Sequence, residues 1–355
     1  MIVGILGGGQ LGRMLALAGH PLGLQFRFFD SSTALPVKSI AETFIGPYED
    51  FNLLKKFAKG LDLVTYEFEN VPVEAVRYLE TLLPVFPSSQ ALEISQDRLH
   101  EKTLFQHLKI PTPKFKAIHS REELIQAVRE LGYPCLLKTR RLGYDGKGQF
   151  LIKTKKDTQK AWERLGKTPL ILEQFIKFKR ELSILAVRSK KGLCTFYPLV
   201  ENHHREGILH HSLAPAPKVS RKLQSLAQTY AKRILKKLNY TGVLAIEFFQ
   251  CGDQLIANEM APRVHNSGHW TLEGAETSQF ENHLRALLGL PLGSTRVVGH
   301  SVMYNLIGRL PPLGKILKIP GTHLHLYGKT PKEGRKLGHV TCLSSNSKKL
   351  REAVK

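Results

Sequence analysis

The order of apolar runs predicts an α/β protein that opens on a parallel α/β domain and closes on a small β-rich one. Three features carry that prediction. An apolar run at the N-terminus passes through a glycine turn into a helix. Strand-like and helix-like stretches alternate behind it, and beyond about residue 290 the runs become short and are broken by Pro and Gly.

Residues 2–6 (IVGIL) read as a buried strand, and GGGQLGRMLALAG after them as a turn entering a helix. A second strand spans Gln25 to Phe29 and ends in Asp30. The run Leu61 to Tyr66 and the short VFP at 85–87 continue the alternation, so the parallel domain is expected over residues 1–96. From Asp97 the texture changes, with a helix around Arg98 to His107, the breakers Pro111 and Pro113, and a helix from Ser120 to Leu131. Ser120 and Glu123 are placed there as a capping box. The strand PCLLK (134–138) leads into GYDGKGQFLI (143–152), a helix near 157–165, and the strands LILEQF (170–175) and ELSILAV (181–187). An amphipathic helix covers Ser220 to Leu238. TGVLAIEFFQ (241–250) and QLIANEMAPR (254–263) then form a hairpin across Cys251-Gly252-Asp253, giving a second domain over 97–290 and a third over 291–355.

A chain of 355 residues with 42% hydrophobic content can bury more than one core, which excludes fibrous and disordered classes. No apolar run approaches the roughly 20 residues that span a bilayer, and Met1 runs straight into a strand without a basic leader. A cytoplasmic protein is expected. Cys135, Cys194, Cys251 and Cys342 are scattered, without CxxC spacing, and read as reduced structural thiols. The 52 Lys and Arg against 30 Asp and Glu give +22, which suits an anionic ligand. No nucleic-acid motif accompanies the charge, and clusters such as Lys232/Arg233/Lys236/Lys237 read as solvated faces, so a phosphorylated small molecule is favoured over DNA or RNA.

Gly7-x-Gly9-x-x-Gly12, with Asp30 eighteen residues further on, satisfies the dinucleotide-binding pattern, yet such a turn can hold any anion on its free N–H groups. The loop GYDGKGQ can fold its backbone over phosphates, with Lys147 supplying charge and Tyr144, Asp145 and Gln149 directional groups. A polar hairpin turn is the plainer reading. Lys138 ends an apolar strand, where a phosphate is a plausible partner and water the alternative. Pairing across residues 251–253 places Ala245 opposite Glu259 and Glu247 opposite Ala257, so that Glu247 and Glu259 are diagonal neighbours. Two such carboxylates, with Asn258 beside them, repel unless a divalent cation bridges them; a strand edge with two unrelated acids is the alternative. APRVHNSGHWT (261–271) is too polar and short for a core element and reads as a ligand-facing loop. Zinc at His265 and His269 is disfavoured, because no cysteine lies nearby.

Lys138, the GYDGKGQ loop, Glu247 and Asn258-Glu259 together resemble the ATP-grasp superfamily. GGGQLGRML, QDRL, GYDGKGQ and NEMAPRVHNSGHWT resemble one family within it, the ATP-dependent 5-(carboxyamino)imidazole ribonucleotide synthases, over nearly the whole chain. The resemblance implies an ATP-grasp fold with a Rossmann-like first domain that does not serve NAD, a mobile glycine-rich lid and a homodimer. It implies a ligase using ATP and Mg²⁺, with Mn²⁺ able to substitute, to carboxylate 5-aminoimidazole ribonucleotide with bicarbonate through carboxyphosphate in purine biosynthesis. A formate-dependent glycinamide ribonucleotide transformylase is the serious alternative. An NAD-dependent dehydrogenase leaves the paired acids unexplained, and a nucleic-acid binder leaves APRVHNSGHWT unexplained.

Carried over by motif, Arg98 and Lys138 resemble ligands of the ATP phosphates, and Gly143, Tyr144, Asp145, Gly146, Lys147, Gly148 and Gln149 the covering loop. Glu173, Gln174, Phe175 and Ile176 resemble the hinge whose backbone holds adenine. Glu181 resembles the ribose acid, and His204 a further nucleotide contact. Glu247 and Glu259 match the Mg²⁺ carboxylates, with Asn258 beside them. For the ribonucleotide, Gln10, Tyr144, Asp145, Arg263, His265, Lys329, Arg335 and Lys336 match, the basic ones suited to its phosphate. Asp145 is the candidate proton acceptor, with Tyr144 and Arg263 beside the chemistry. Two departures stand out: Leu142-Gly143 occupies a place where two glycines are common, and the last segment, SKKLREAVK, is expected to be short.

Overall fold

The computed structural model describes residues 1–143 and 146–344. Its first unit is a four-stranded parallel sheet in the order Glu42–Ile45, Gln25–Asp30, Ile2–Leu6, Leu63–Tyr66. The register pairs Leu6 with Phe29 on one side and with Tyr66 on the other. Asp30 and Glu67 therefore stand at the ends of the strands flanking Gly7, at the carboxyl edge where open parallel sheets bind ligands. The expected run at 85–87 contributes only one parallel bridge, Val85 to Val64. Pro84 and Pro87 bracket it, and a proline has no N–H for a ladder.

A second, antiparallel sheet has the order Phe115–Ile118, Leu170–Gln174, Cys135–Thr139, Gln149–Ile152. Helices Arg121–Leu131 and Lys155–Leu165 share a core with it through Leu124, Val128, Ala161, Leu137 and Leu172. Ser120 caps the first helix by accepting from the Glu123 N–H at 3.1 Å, while the Glu123 carboxylate accepts from His119 N at 2.7 Å.

The third sheet has nine strands, ordered Gln254–Ala261, Gly242–Cys251, Arg180–Arg188, Val200–Arg205, Ile208–Ala214, His300–Ile307, Lys336–Ser344, Thr322–Leu326, with Cys194–Phe196 also on Arg180–Arg188. Both faces of strand Arg180–Arg188 are covered, which explains the unbroken apolar run at 184–187. Leu182, Ile184 and Ala186 pack with helix Arg221–Lys237. The alternate residues Leu185 and Val187 pack with helix Gln279–Leu288 and with Leu11 and Leu15 of helix Gln10–Gly19. One core thus joins the first unit to the central sheet. The C-terminal strands do not close into a sheet of their own among the described residues. They extend the central sheet, His300–Ile307 pairing with Ile208–Ala214. SKKLREAVK lies outside the described residues. Among those described, no helix is long and apolar enough to cross a membrane.

Candidate active site

The glycine turn of the first unit is filled by the protein itself. Gly7 has φ +95°, and the N–H of Gly8 donates to Asp30 at 2.7 Å. The N–H of Gly12 donates to Glu67 at 2.6 Å, and Gly9 N donates to the other oxygen of the same carboxylate. A Cβ on Gly9 would lie 2.3 Å from Glu67 Oε1, so the glycine is needed for the carboxylate's approach. The N–H groups that would hold a pyrophosphate already have anionic partners, and Asp30 binds Gly8 and Ser32 where a ribose would need it. This arrangement leaves those N–H groups no free position for a dinucleotide pyrophosphate. Gln10, next along, accepts from Lys329.

Two adjoining cavities, of about 380 and 370 Å³, meet at Arg98, Glu247, Glu259, His265, Asn266 and Lys336. The hairpin that supplies the two acids has a different register from the expected one. Cys251 pairs with Gln254 across a two-residue turn, and a bulge between Glu247 and Phe248 shifts the ladder, so Glu247 stands directly opposite Glu259 instead of diagonally. Burial and the facing Glu259 raise the Glu247 carboxyl. Burial opposes ionisation of Glu259 too, but Arg98, 2.9 Å away, holds it low. Asn258 Oδ1, beside them, is buried without a partner among the described residues. Oxygen donors so arranged fit a hard divalent cation such as Mg²⁺. Glu181, His204 and Glu247 also offer ligand atoms within 4.8 Å of one another.

The first of the expected nucleotide ligands, Lys138, is not left to water: it is buried and bound to Glu173 at 2.9 Å, with Lys102 3.5 Å from the same carboxylate. Burial raises Glu173, but the two ammonium groups outweigh it and bring it to about 2. The Glu173 side chain is thus turned into the protein. Lys138, Gly146, Lys147, Gln149, Glu173, Gln174, Phe175, Ile176, Glu181, His204, Asn258 and Glu259 all border one cavity, whose wall also holds Phe178 stacked on Phe249 at 4.6 Å. Burial would lower His204, but its bond to Glu181 outweighs this and raises it to about 9. Gly146 and Gly148 have φ +76° and +70°, and Gly148 accepts from Thr139 N at 2.8 Å. Tyr144 and Asp145 lie outside the described residues.

Gln10, Gly143, Arg263, His265 and Lys336 border the other cavity. Arg263 is ion-paired with Glu69, so its charge is already balanced. Burial and Arg263 depress His265 to about 3, which favours a neutral, hydrogen-bonding imidazole. Lys329 and Arg335 line neither cavity. Arg335 is exposed and donates to Thr330 O at 3.0 Å, whereas Lys329 reaches the site's edge through Gln10. The 261–271 stretch is divided: Arg263, His265 and Asn266 border the cavities, whereas Ser267, His269, Trp270 and Thr271 are fully buried. Part of its polarity is satisfied internally: Gln279 accepts from His265 N at 2.9 Å and donates to His265 O at 2.7 Å, while Thr271 Oγ1 donates to Gly268 O at 2.6 Å.

Sequence reasoning missed Glu67 and Glu69, although both follow a parallel strand at the edge where ligands bind. It also missed Glu101 and Lys102, whose helical context hides two buried titratable groups.

Residues 1–96 match the ribonucleotide synthetase preATP-grasp domain, residues 103–280 the ATP-grasp domain, and residues 301–353 the phosphoribosylaminoimidazole carboxylase C-terminal domain. An N5-carboxyaminoimidazole ribonucleotide synthase of Pseudomonas aeruginosa is 51% identical over 341 residues, 96% of this chain and 94% of its own. The crystal structure of the N5-carboxyaminoimidazole ribonucleotide synthetase from Thermus thermophilus superposes with TM-score 0.96 at 56% identity, covering 99% of this chain and 96% of that one. The N5-carboxyaminoimidazole synthase of Aspergillus clavatus, crystallised with ADP and 5-aminoimidazole ribonucleotide, superposes with TM-score 0.93 at 32% identity, covering 100% and 96%.

Proposed function

Because this chain belongs to the N5-carboxyaminoimidazole ribonucleotide synthase family of ATP-grasp enzymes, we propose that it carboxylates 5-aminoimidazole ribonucleotide with bicarbonate at the expense of ATP, a step of purine biosynthesis. One observation carries the reading: two cavities meet across the facing acids Glu247 and Glu259, so a γ-phosphate in one abuts an acceptor in the other.

In this reading the backbone of Glu173, Gln174, Phe175 and Ile176 holds adenine, and Glu181 with His204 holds the ribose. Arg98, Lys138 and the 143–149 loop hold the phosphates. Glu247 and Glu259 would hold Mg²⁺, or Mn²⁺, with Asn258 beside them, and the bound cation would supply charge neutralisation for the transferring phosphoryl group. A bicarbonate oxygen bonds to the γ-phosphorus as the bond to the β-bridging oxygen breaks, giving ADP and carboxyphosphate. The exocyclic amine then bonds to the carboxyl carbon, phosphate leaves, and the amine's proton passes to a base, for which Asp145 is the candidate. Arg263, balanced by Glu69, and neutral His265 orient the ribonucleotide. Lys336, with Lys329 and Arg335 at the rim, attracts its phosphate. A cytoplasmic homodimer completes the proposal.

The test is ADP release from ATP, Mg²⁺ and bicarbonate. Rapid release only with 5-aminoimidazole ribonucleotide present is the expected result. Release triggered instead by formate with glycinamide ribonucleotide would overturn the acceptor assignment and keep the ATP-grasp one.

A further inference from the structure

The two facing acids are not held equally. Glu247 stands on an interior strand, hydrogen-bonded to Arg180–Arg188 on one side and to Gln254–Ala261 on the other. Glu259 stands on Gln254–Ala261, the edge strand of the sheet, whose outward N–H and C=O groups have no further strand to bond. Helix Arg98–His107 supplies what that strand lacks. The Lys102 ammonium donates to Asn258 O at 2.7 Å, and the Glu101 carboxylate accepts from Met260 N at 2.6 Å. These are the main-chain groups on either side of Glu259. From the same helix Arg98 bonds the Glu259 carboxylate itself. Further along the edge, Thr112 Oγ1 donates to Ala257 O at 2.9 Å, and Ala257 N donates to Pro111 O at 2.7 Å.

Glu101 is 2% and Lys102 0% exposed. Burying two titratable groups is costly unless their hydrogen bonds and partners compensate, and burial raises the Glu101 carboxyl while lowering the Lys102 ammonium. Lys102 also shares Glu173 with Lys138, which links the edge strand to the Leu170–Gln174 strand that leads into the proposed nucleotide hinge. Lys102 borders neither cavity, and Glu101 borders only the one distant from the hinge.

We infer that Glu101 and Lys102 are positioning residues: they stand in for a missing strand, clasping the main chain on both sides of Glu259 and fixing that carboxylate's spacing from Glu247 for a divalent cation. This rests on the ATP-grasp reading of the site. The clasp acts through the backbone, so a group able to make the same bond should replace the native one whatever its charge.

The experiment measures Mn²⁺ affinity in the presence of ADP by electron paramagnetic resonance, on the full chain, for Lys102→Met, Glu101→Ala and Glu101→Gln. Circular dichroism checks that each variant is folded. Lys102→Met and Glu101→Ala are expected to weaken Mn²⁺ binding about tenfold, the order seen when groups supporting a metal ligand are lost. Glu101→Gln, whose side-chain oxygen can still accept from Met260 N, is expected to stay within about twofold of the native enzyme. Native affinity in folded Glu101→Ala or Lys102→Met, or a Glu101→Gln loss as large as that of Glu101→Ala, overturns the clasp. If Lys102→Met does not fold, the two Glu101 variants decide. The measurement needs no acceptor, so a native enzyme that binds Mn²⁺ with ADP but ignores 5-aminoimidazole ribonucleotide fails the substrate assignment alone. Failure to bind Mn²⁺ with ADP at all overturns both.

Discussion

Two glycine turns follow apolar strands in this chain, and they end in opposite states. In the first, Gly8, Gly9 and Gly12 direct their N–H groups onto Asp30 and Glu67, so the turn is closed by carboxylates from neighbouring strands. In the second, Gly146 and Gly148 take left-handed conformations beside a cavity bordered by Lys138, Glu247 and Glu259. A glycine pattern reports that something must come close to the backbone. What comes close depends on the elements packed around it, and the same local chemistry serves an internal cap in one place and borders the proposed nucleotide cavity in the other.

The contrast breaks most severely if the acids beneath the second turn are dispensable. Glu259→Gln is expected to lower ADP release by roughly 10³-fold at saturating substrates without unfolding the chain, the scale on which losing transition-state charge stabilisation acts. Retained turnover would remove the metal role. The first turn is tested by Glu67→Ala, which leaves the Gly9 and Gly12 N–H groups without their acceptor. At about 1–3 kcal/mol for each buried unsatisfied group, urea denaturation should register a loss of about 2–6 kcal/mol. A neutral result would mean the turn is not closed by Glu67.

Acid titration sharpens the difference further. Glu173, held by Lys102 and Lys138 beside the second turn, has a folded pKa of about 2 against an ordinary 4.5. A depressed carboxyl contributes stability above its unfolded pKa and loses it as pH falls through the folded one. The Tm gap between the native chain and Glu173→Gln should therefore be widest above pH 4.5 and narrow toward pH 2. A gap independent of pH would argue against the buried ion pairs. The smallest effect is expected at Leu142, which enters the second turn at φ +60° with its side chain 71% exposed. Leu142→Gly relieves a conformation costing about 1–2 kcal/mol but adds unfolded-state freedom, so a net gain of about 1 kcal/mol or less is expected in the same denaturation assay.

Much of the fold was legible because it is set by near neighbours. The strand, turn and helix at residues 2–19, the Ser120 cap and the amphipathic 221–237 helix follow from period and local hydrogen bonding. The hairpin bearing Glu247 and Glu259 was legible too, but its register was not. A two-residue turn and a one-residue bulge leave no mark in hydrophobic alternation, yet together they turn a diagonal pair into a facing one. The 261–271 stretch was legible in part: Arg263, His265 and Asn266 border the cavities, but the burial of Ser267, His269, Trp270 and Thr271 beside partners such as Gln279 left no local signal. For the cavity walls, motif resemblance named many residues that composition and spacing alone could not.

By itself the sequence determined the elements, the family and the residue types the chemistry needs. Tertiary structure decided which charges are free to act. Glu67 reaches Gly12 across 55 positions, Glu69 neutralises Arg263 across 194, and Lys329 meets Gln10 across 319. Local patterning cannot encode such partners, because a side chain's charge state and reach depend on what the completed fold buries beside it.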